Sequence, residues 1–347
     1  MKIALLAHDL FPDRAKTALG IIRYRDYAEV EVVGVLDRGN HGRTVDELLP
    51  DVEEPIPVVE SCSDLPEFDA LVIGVAPIGG GFDESWRPDV EETLRRGNAV
   101  VSGLHTYLAD LDGLSSIAEE YGAELVDVRK SRDVDVAEGI EADTQVTLTV
   151  GTDCSVGKMT TSMALVRDAR KRGIDVGFVA TGQTGVMLES MRHGQYDGYG
   201  VPVDAVMSDY IAGAVEDAVL SSAEEGYDHL IVEGQGSIYH PAYSGVTLGL
   251  LHGSRPDNLV LCHSHGRDEI RGYGTRIPSL EQYVDVYQEL AEPVSGATVE
   301  AGALDTSSFE DGSDAHRELE QYGEVIDCPT FDPVRFGVED AADVLFD

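Results

Sequence analysis

Short apolar runs alternate with polar segments of helical length along most of the chain. In the first third, the apolar runs cover 2–7, 30–36, 70–76, 99–104 and 124–128, with helical candidates at 86–97 and 107–121. Several runs are rich in valine and apolar at successive positions, which is typical of strands in a sheet that helices cover on both faces. The pattern predicts a series of βαβ units around a parallel sheet.

A charged stretch without a strand pattern, 130–143, is predicted to be a linker, and a second alternating series follows it. The apolar runs and helical candidates of this series cover 145–150, 158–172, 175–185, 203–226, 229–237, 258–265 and 279–293. The first series is therefore interpreted as a Rossmann-like domain that ends near the linker.

The stretch "GTDCSVGKMTT" at 151–161 connects an apolar run to a helical candidate. Five residues separate Gly151 from Gly157, one more than in the usual G-x-x-x-x-G-K-[ST] loop, and Met159 stands between Lys158 and the two threonines. Backbone N–H groups of such a loop and of the following helix start bind phosphate. The predicted phosphate-contacting residues are Gly151, Thr152, Asp153, Cys154, Ser155, Val156, Gly157, Lys158, Met159, Thr160, Thr161 and, after the next apolar run, Gln183.

These patterns together predict an α/β protein with two domains, both built on mainly parallel sheets. The Rossmann-like N-terminal domain is assigned to residues 1–135. The P-loop NTPase-like C-terminal domain is assigned to residues 136–347.

The composition narrows the classes of partner. There are 65 acidic and 25 basic residues, for a net charge of −40, and the five lysines make one inside a glycine loop informative. Scattered acidic residues are typical of an enzyme that stays soluble in high salt. The chain has no basic patch for nucleic acid and no apolar run of membrane-spanning length. Four widely separated cysteines without a C-x-x-C pair favour reduced thiols in a cytoplasm.

Several motifs carry a resemblance to known families. "GTDCSVGK" and "IVEGQGS" resemble the phosphate loop and the Glu-Gly-x-Gly strand end of dethiobiotin synthetases. "GTDCSVGKMTT", "FVATGQTGVM", "SDYIAGAVE", "VEGQGSIYHPAY" and "IGVAPIGGG" together are similar to the DUF1611 family, over nearly the whole chain. That resemblance implies a Rossmann-like and a P-loop domain. Some members of the family are D-glutamate N-acetyltransferases that use acetyl-CoA.

The resemblance to dethiobiotin synthetases implies that Glu233 lies near the phosphates and a metal ion. An acidic residue at the end of a buried strand beside a phosphate loop is also a plausible Mg²⁺ ligand on general grounds, and the hydroxyl of Thr160 or Thr161 is a second. The segment 293–305 has no Asn of the kind that many related proteins use to read adenine, which weakens the case for ATP.

Acetyl transfer to an amine requires a general base, donors for an oxyanion, and cations for substrate carboxylates. The candidate bases are Asp209, Glu233, His240 and His263; with Lys158, three of them (Asp209, Glu233 and His263) form the predicted catalytic set. Asp209 follows an apolar segment and is expected to be buried with a raised pKa. Arg267, Arg271 and Thr184 are the expected substrate-binding residues. Cys154 is interpreted as a small residue that fills the loop, because no base is paired with it in the sequence.

Three hypotheses follow for the function. The first is an acetyltransferase that moves acetyl from acetyl-CoA to D-glutamate or a related amino acid. The second is an ATP- and Mg²⁺-dependent kinase or ligase resembling dethiobiotin synthetase, and the third is a nucleotide-sensing module without turnover. The expected cofactor is accordingly acetyl-CoA or ATP, with Mg²⁺ in the second case. The partner is a small-molecule substrate, and a homo-oligomer is expected.

Overall fold

The computed structural model describes residues 1–75, 77, 80–130, 134–192 and 200–346. The chain divides into two compact units, one of residues 1–131 with 183–205 and the other of residues 132–182 with 206–347. Parts of the glycine loop in "IGVAPIGGG" (residues 76, 78 and 79) and of the expected linker (residues 131–133) lie outside the described residues.

Within the described part of the chain, each unit contains one six-stranded sheet. The strands are β1 (Lys2–Leu6), β2 (Glu31–Leu36), β3 (Val58–Val59), β4 (Ala70–Ile73), β5 (Ala99–Ser102), β6 (Leu125–Asp127), β7 (Gln145–Gly151), β8 (Val176–Val179), β9 (His229–Val232), β10 (Asn258–Ser264), β11 (Thr298–Asp305) and β12 (Thr330–Phe331). Every strand pair is parallel. The α/β prediction with two parallel sheets is therefore confirmed.

Helices connect the strands, as parallel pairing requires. They are α1 (Lys16–Tyr24), α2 (Val45–Leu48), α3 (Arg87–Arg95), α4 (Leu114–Tyr121), α5 (Lys158–Lys171), α6 (Gln183–Arg192), α7 (Ile211–Glu224), α8 (Ser244–Ser254), α9 (Leu280–Ala291), α10 (Gly312–Ile326) and α11 (Glu339–Phe346). Each helix in the described residues is too short or too polar to span a lipid bilayer.

The strand order identifies the fold of the N-terminal unit and the place where a ligand can bind in the C-terminal unit. The N-terminal sheet has the order β3-β2-β1-β4-β5-β6, which is that of a Rossmann fold. The C-terminal sheet has the order β12-β11-β10-β7-β9-β8, so β7 lies between β9 and β10. The carboxyl ends of three neighbouring strands therefore meet at the loop after β7, where the order of the strands reverses.

The segment 183–205 belongs to the N-terminal unit, whereas the sequence assigned it to a continuous C-terminal domain. Helix α6 packs there: Thr184 Oγ1 lies 3.5 Å from Thr17 Oγ1, and the carboxylate of Glu189 accepts a hydrogen bond from the Tyr27 hydroxyl. Nearly every residue of α6 is buried. Sequence periodicity cannot reveal that a segment belongs to the other unit, because the hydrophobic pattern of a helix buried on most sides is the same in either domain.

The described part of the expected linker is fixed against the C-terminal unit. The carboxylate of Glu216 on α7 accepts backbone N–H hydrogen bonds from Glu138, Gly139 and Ile140 at 2.8, 2.7 and 2.9 Å. A Cβ atom at Gly213 would lie 1.9 Å from the Asp135 carbonyl oxygen, so only glycine permits this close approach. The segment is extended but not a free tether.

We expect acid to destabilise the C-terminal unit through His229 on β9. Burial lowers the pKa of His229 from 6.5 to about 4, and its Nε2 lies 2.8 Å from Thr147 Oγ1. The unfolded chain therefore binds a proton that the folded chain excludes as the pH falls from 6.5 towards 4. The free energy of unfolding should drop by up to about 3 kcal/mol across that window.

The comparison that isolates this effect is between wild type and His229→Gln in urea unfolding at pH 7 and pH 4.5. The variant should lose less stability than wild type between the two pH values. His316→Gln, the same change at a side chain that is 62% exposed, should behave as wild type. Equal pH slopes for wild type and His229→Gln would contradict the assignment.

Candidate phosphate-binding site

The loop after β7 forms an anion cradle at the start of α5. Gly157 precedes the helix with φ of 92°, and Thr161 N donates to Gly157 O at 2.8 Å. The N–H groups of Lys158, Met159 and Thr160, in the first turn, consequently have no carbonyl of their own helix to bind. Together with the positive end of the helix dipole, they give this helix start the features of a phosphate-binding site.

The longer spacing of the loop is accommodated by Val156 and Ser155. Val156 is buried among Leu165, Val260 and other residues of the core, so the additional residue anchors the loop to the sheet. Ser155 takes up a left-handed conformation with φ of 55° and stays exposed. The extra residue is thus absorbed by one inward and one outward side chain, and the helix start keeps its orientation.

Lys158 is held inside the loop by two carbonyl groups. Its Nζ donates to Asp153 O and to Gly236 O, both at 2.8 Å, and the residue is only 7% exposed. A Cβ atom at Gly151 would lie 3.0 Å from Nζ, which explains the glycine that opens the motif. Both of these partners are neutral carbonyl oxygens, and the charge of Lys158 acts on its surroundings, since it lowers the pKa of His240.

The Glu-Gly-Gln-Gly segment after β9 passes against β7 without space for side chains. A Cβ atom at Gly234 would lie 1.6 Å from Thr149 O, and Gly234 N donates to Thr149 Oγ1 at 2.9 Å. Gly236 has φ of 69°, and a Cβ there would meet Tyr243 O at 2.6 Å. These two glycines bring the Gly236 carbonyl to the ammonium group of Lys158.

Glu233 connects the carboxyl ends of β8 and β9. Its Oε2 accepts from Thr181 N at 3.2 Å and from Gly182 N at 3.0 Å, and its Oε1 accepts from Gln235 Nε2 at 3.0 Å. The residue is 4% exposed. Since three N–H donors of the protein already surround this carboxylate, the expected Mg²⁺ site at Glu233 and Thr160 fits the geometry poorly.

The two threonines after Lys158 have different environments. Thr161 is 1% exposed, and its Oγ1 accepts from Cys262 Sγ at 3.6 Å, so it faces the core. Thr160 is half-buried in the first turn of α5. The expectation that either hydroxyl could meet a ligand is therefore restricted to Thr160.

Asp153 and Arg267 brace the outer side of the loop. Asp153 is fully buried; its Oδ1 accepts from Cys154 N at 2.7 Å and its Oδ2 from Arg271 N at 2.9 Å. Arg267 Nη1 donates to Cys154 O at 2.8 Å and lies 3.4 Å from Asp153 Oδ2. Arg267 thus stabilises the loop, while Arg271 contributes a backbone N–H and leaves its side chain exposed.

Two tyrosines on α9 donate hydrogen bonds to backbone carbonyl groups of the loop, and sequence reasoning missed both. The Tyr283 hydroxyl donates to Thr152 O at 2.7 Å and the Tyr287 hydroxyl to Gly151 O at 2.8 Å. Burial raises the pKa of Tyr283 to about 12 and that of Tyr287 further, so both remain donors. Their spacing of four residues, which puts them on one helix face, was the available signal.

His263 also stabilises the loop after β7. Its Nδ1 lies 2.8 Å from Thr152 Oγ1. Burial, with smaller contributions from His265 and Arg267, lowers the pKa of His263 to about 4. The ring is therefore neutral at neutral pH and positions the first residue of the loop.

Three other predicted residues are described by their own surroundings. Asp209 lies in a one-turn helix, Ser208–Tyr210, and is exposed, so the expected burial is wrong. The apolar run that suggested burial ends at Met207, which is itself 71% exposed. Gln183 and Thr184 begin α6 in the N-terminal unit, where Gln183 Oε1 accepts from Arg129 Nη2 at 3.0 Å.

Comparisons with known proteins agree with this architecture. A family model described as the DUF1611_C P-loop domain, a domain of unknown function, matches residues 133–342, and the DUF1611_N Rossmann-like model matches residues 38–131. A protein of Pseudoalteromonas sp named D-glutamate N-acetyltransferase is 39% identical over 277 residues, 78% of this chain and 79% of that protein. One of the same name from Tritonibacter scottomollicae is 38% identical over 277 residues, 79% and 80% of the two chains.

A solved structure supports the same conclusion. The crystal structure of a DUF1611 family protein from Anabaena variabilis ATCC 29413 matches with a TM-score of 0.88 and 35% identity, covering 99% of this chain and 98% of that one. Because family models match both halves and these relatives span more than two thirds of the sequence, the chain belongs to the DUF1611 family.

Proposed function

We propose that this protein is an N-acetyltransferase that moves the acetyl group of acetyl-CoA to the amino group of D-glutamate or a related D-amino acid. In this proposal the loop 151–161 holds phosphates of the donor. One observation carries it: two relatives near 39% identity share the name D-glutamate N-acetyltransferase. The buried Lys158 at the start of α5 supports the part of the proposal that concerns the donor phosphates.

In this reaction the loop has only to bind the phosphates of the donor. A base takes a proton from the ammonium group, and the freed amine nitrogen attacks the acetyl carbonyl to form the C–N bond. The C–S bond breaks, and the thiolate of CoA leaves as the thiol with the second proton that the nitrogen loses. No phosphoryl group moves, so the phosphates need charge neutralisation and a fixed position only. A buried lysine and the N–H groups of a helix start suit both needs, and Glu233, whose carboxylate accepts from N–H donors of the protein, is compatible with that role.

Cys154 is not the acetyl carrier in this proposal. The phosphates and the thioester of acetyl-CoA lie at opposite ends of the pantetheine arm. A thiol in the phosphate cradle therefore faces the phosphates, far from the acetyl group. Cys154 therefore serves as a small residue that fills the loop, as the sequence predicts.

Of the two arginines expected at the acceptor carboxylates, Arg271 keeps that role in the proposal. Its side chain is exposed beside the loop, whereas the guanidinium of Arg267 is engaged with loop carbonyls. A guanidinium can bind a carboxylate through two parallel N–H bonds, which suits a dicarboxylic amino acid.

The test follows free thiol release from acetyl-CoA in concentrated KCl, which screens the net charge of −40. We expect release that depends on D-glutamate, that needs no ATP, and that a chelator leaves unchanged; omission of the acceptor is the control. Strict dependence on ATP with release of phosphate would overturn the proposal in favour of a kinase or ligase. Tight binding of acetyl-CoA without turnover of any D-amino acid would also overturn it, in favour of a sensing module.

A further inference from the structure

His240 is a buried imidazole held rigidly beside the phosphate loop. It follows the Glu-Gly-Gln-Gly segment, and the residue is 2% exposed. Its ring stacks on that of Tyr243, with centroids 4.6 Å apart, and meets the ring of Tyr273 edge-on at 4.8 Å. These contacts fix the plane of the imidazole.

One hydrogen bond decides which ring nitrogen of His240 carries the proton. The backbone N–H of Ala242 donates to Nδ1 at 3.1 Å, so Nδ1 acts as an acceptor. A neutral imidazole has one acceptor and one N–H, which places the hydrogen on Nε2. Nε2 lies 3.9 Å from Asp153 Oδ1, beyond hydrogen-bond distance, at the inner edge of the loop.

The surroundings keep this imidazole neutral. Burial lowers the pKa of His240, and Lys158 lowers it further, while Asp153 opposes them. Tyr243 stacks on the ring and Tyr273 meets it edge-on. At neutral pH the group is therefore an uncharged N–H donor beside a buried ammonium group.

We propose that His240 is a phosphate-binding residue, whose Nε2–H donates to an oxygen of the anion held by the loop. The inference rests on the proposed phosphate-binding role of the loop and adds a side-chain donor to it. A neutral donor beside Lys158 avoids the repulsion that a second cation would introduce. It also keeps its hydrogen over the whole neutral pH range.

The same tautomer excludes two other roles for His240. A ring nitrogen of His240, Cys154 Sγ and an Asp153 carboxylate oxygen lie within 4.8 Å of one another, the donor set of a zinc site. Both metal ligation and proton abstraction by Nε2 need a lone pair on that atom, and its hydrogen occupies that position. His240, one of the candidate bases from the sequence, is thereby assigned as a donor.

The experiment measures the Kd of acetyl-CoA and of pyrophosphate by calorimetry for wild type, His240→Phe and His240→Gln. The phenyl ring retains the stacking without an N–H, and the amide restores an N–H. We expect His240→Phe to weaken both ligands about 10-fold and His240→Gln to recover part of the loss. His252→Phe, on the exposed face of α8, should match wild type.

The outcomes separate this inference from the proposed function. If Lys158→Ala abolishes binding while His240→Phe binds as wild type, the inference fails and the phosphate loop stands. If wild type binds pyrophosphate but not acetyl-CoA, the proposed donor fails, and the pyrophosphate series still decides on His240. Stabilisation by Zn²⁺ that the His240 variants lose would overturn the donor assignment. Should the phenylalanine variant melt at a lower temperature than wild type, the glutamine variant decides.

Discussion

Lys158→Ala should weaken acetyl-CoA binding about 100-fold, the largest effect on the ligand that we expect from a single substitution. Lys158 is only 7% exposed, and its ammonium group lies within the cradle. A phosphate would form a charge-assisted hydrogen bond with it there. The loss should appear in the Kd from calorimetry and in the thiol-release rate at subsaturating donor. It should exceed the loss in His240→Phe, because a charge is removed together with a donor.

Lys171→Ala is the matched control for this prediction. It makes the same change on the same helix, but at an exposed residue at the far end of α5. Its acetyl-CoA affinity should equal that of wild type. If Lys158→Ala and Lys171→Ala bound acetyl-CoA equally well, the cradle would not be the donor site.

Gly234→Ala should be the most damaging small change to the fold of the C-terminal unit. The new Cβ would lie 1.6 Å from Thr149 O, 2.8 Å from Thr149 C and 3.2 Å from Lys158 Cδ. The backbone after β9 must move away from β7 to admit the methyl group, and Gly236 O would leave Lys158. We expect the free energy of unfolding, from urea titration followed by circular dichroism, to fall by about 3 kcal/mol. Acetyl-CoA binding should fall with it.

Gly245→Ala provides the control, since it adds the same methyl group within the same unit. Nothing lies within 4 Å of a Cβ built at Gly245, which is in α8. Alanine favours helix over glycine, so stability should stay equal or rise by up to about 1 kcal/mol. A Gly234→Ala protein as stable as wild type would mean that the strand end does not approach β7 as closely as described.

The same close approaches show why only part of the site was predictable. The loop 151–161 and Glu233 stand out in the sequence because glycine, lysine and acid occur in a fixed order after apolar runs. Tyr283 and Tyr287 come from a distant helix, and His240, although it lies in a quoted motif, was expected to be a base rather than a donor. Their partners are backbone carbonyl and N–H groups, which any sequence provides, so no local signal marks the pairing.

The misplaced predictions have a common physical cause as well. Asp209 was expected to be buried because it follows an apolar run, yet that run ends at the exposed Met207, before the one-turn helix Ser208–Tyr210. The run 175–185 was assigned to the C-terminal domain, but β8 ends at Val179 and α6 begins at Gln183 in the other unit. Burial depends on what packs against a segment, and composition alone does not contain that information.

The sequence alone predicted an α/β chain with two parallel sheets and a candidate phosphate loop, and its motifs resemble those of the DUF1611 family. The fold and the candidate loop follow from periodicity and local spacing, which act over a few residues. The tertiary structure decided the protonated nitrogen of His240, the N–H donors around Glu233 and the unit to which 183–205 belongs. Each of these depends on groups brought together from distant parts of the chain, and hydrogen-bond geometry exists only once the chain has folded.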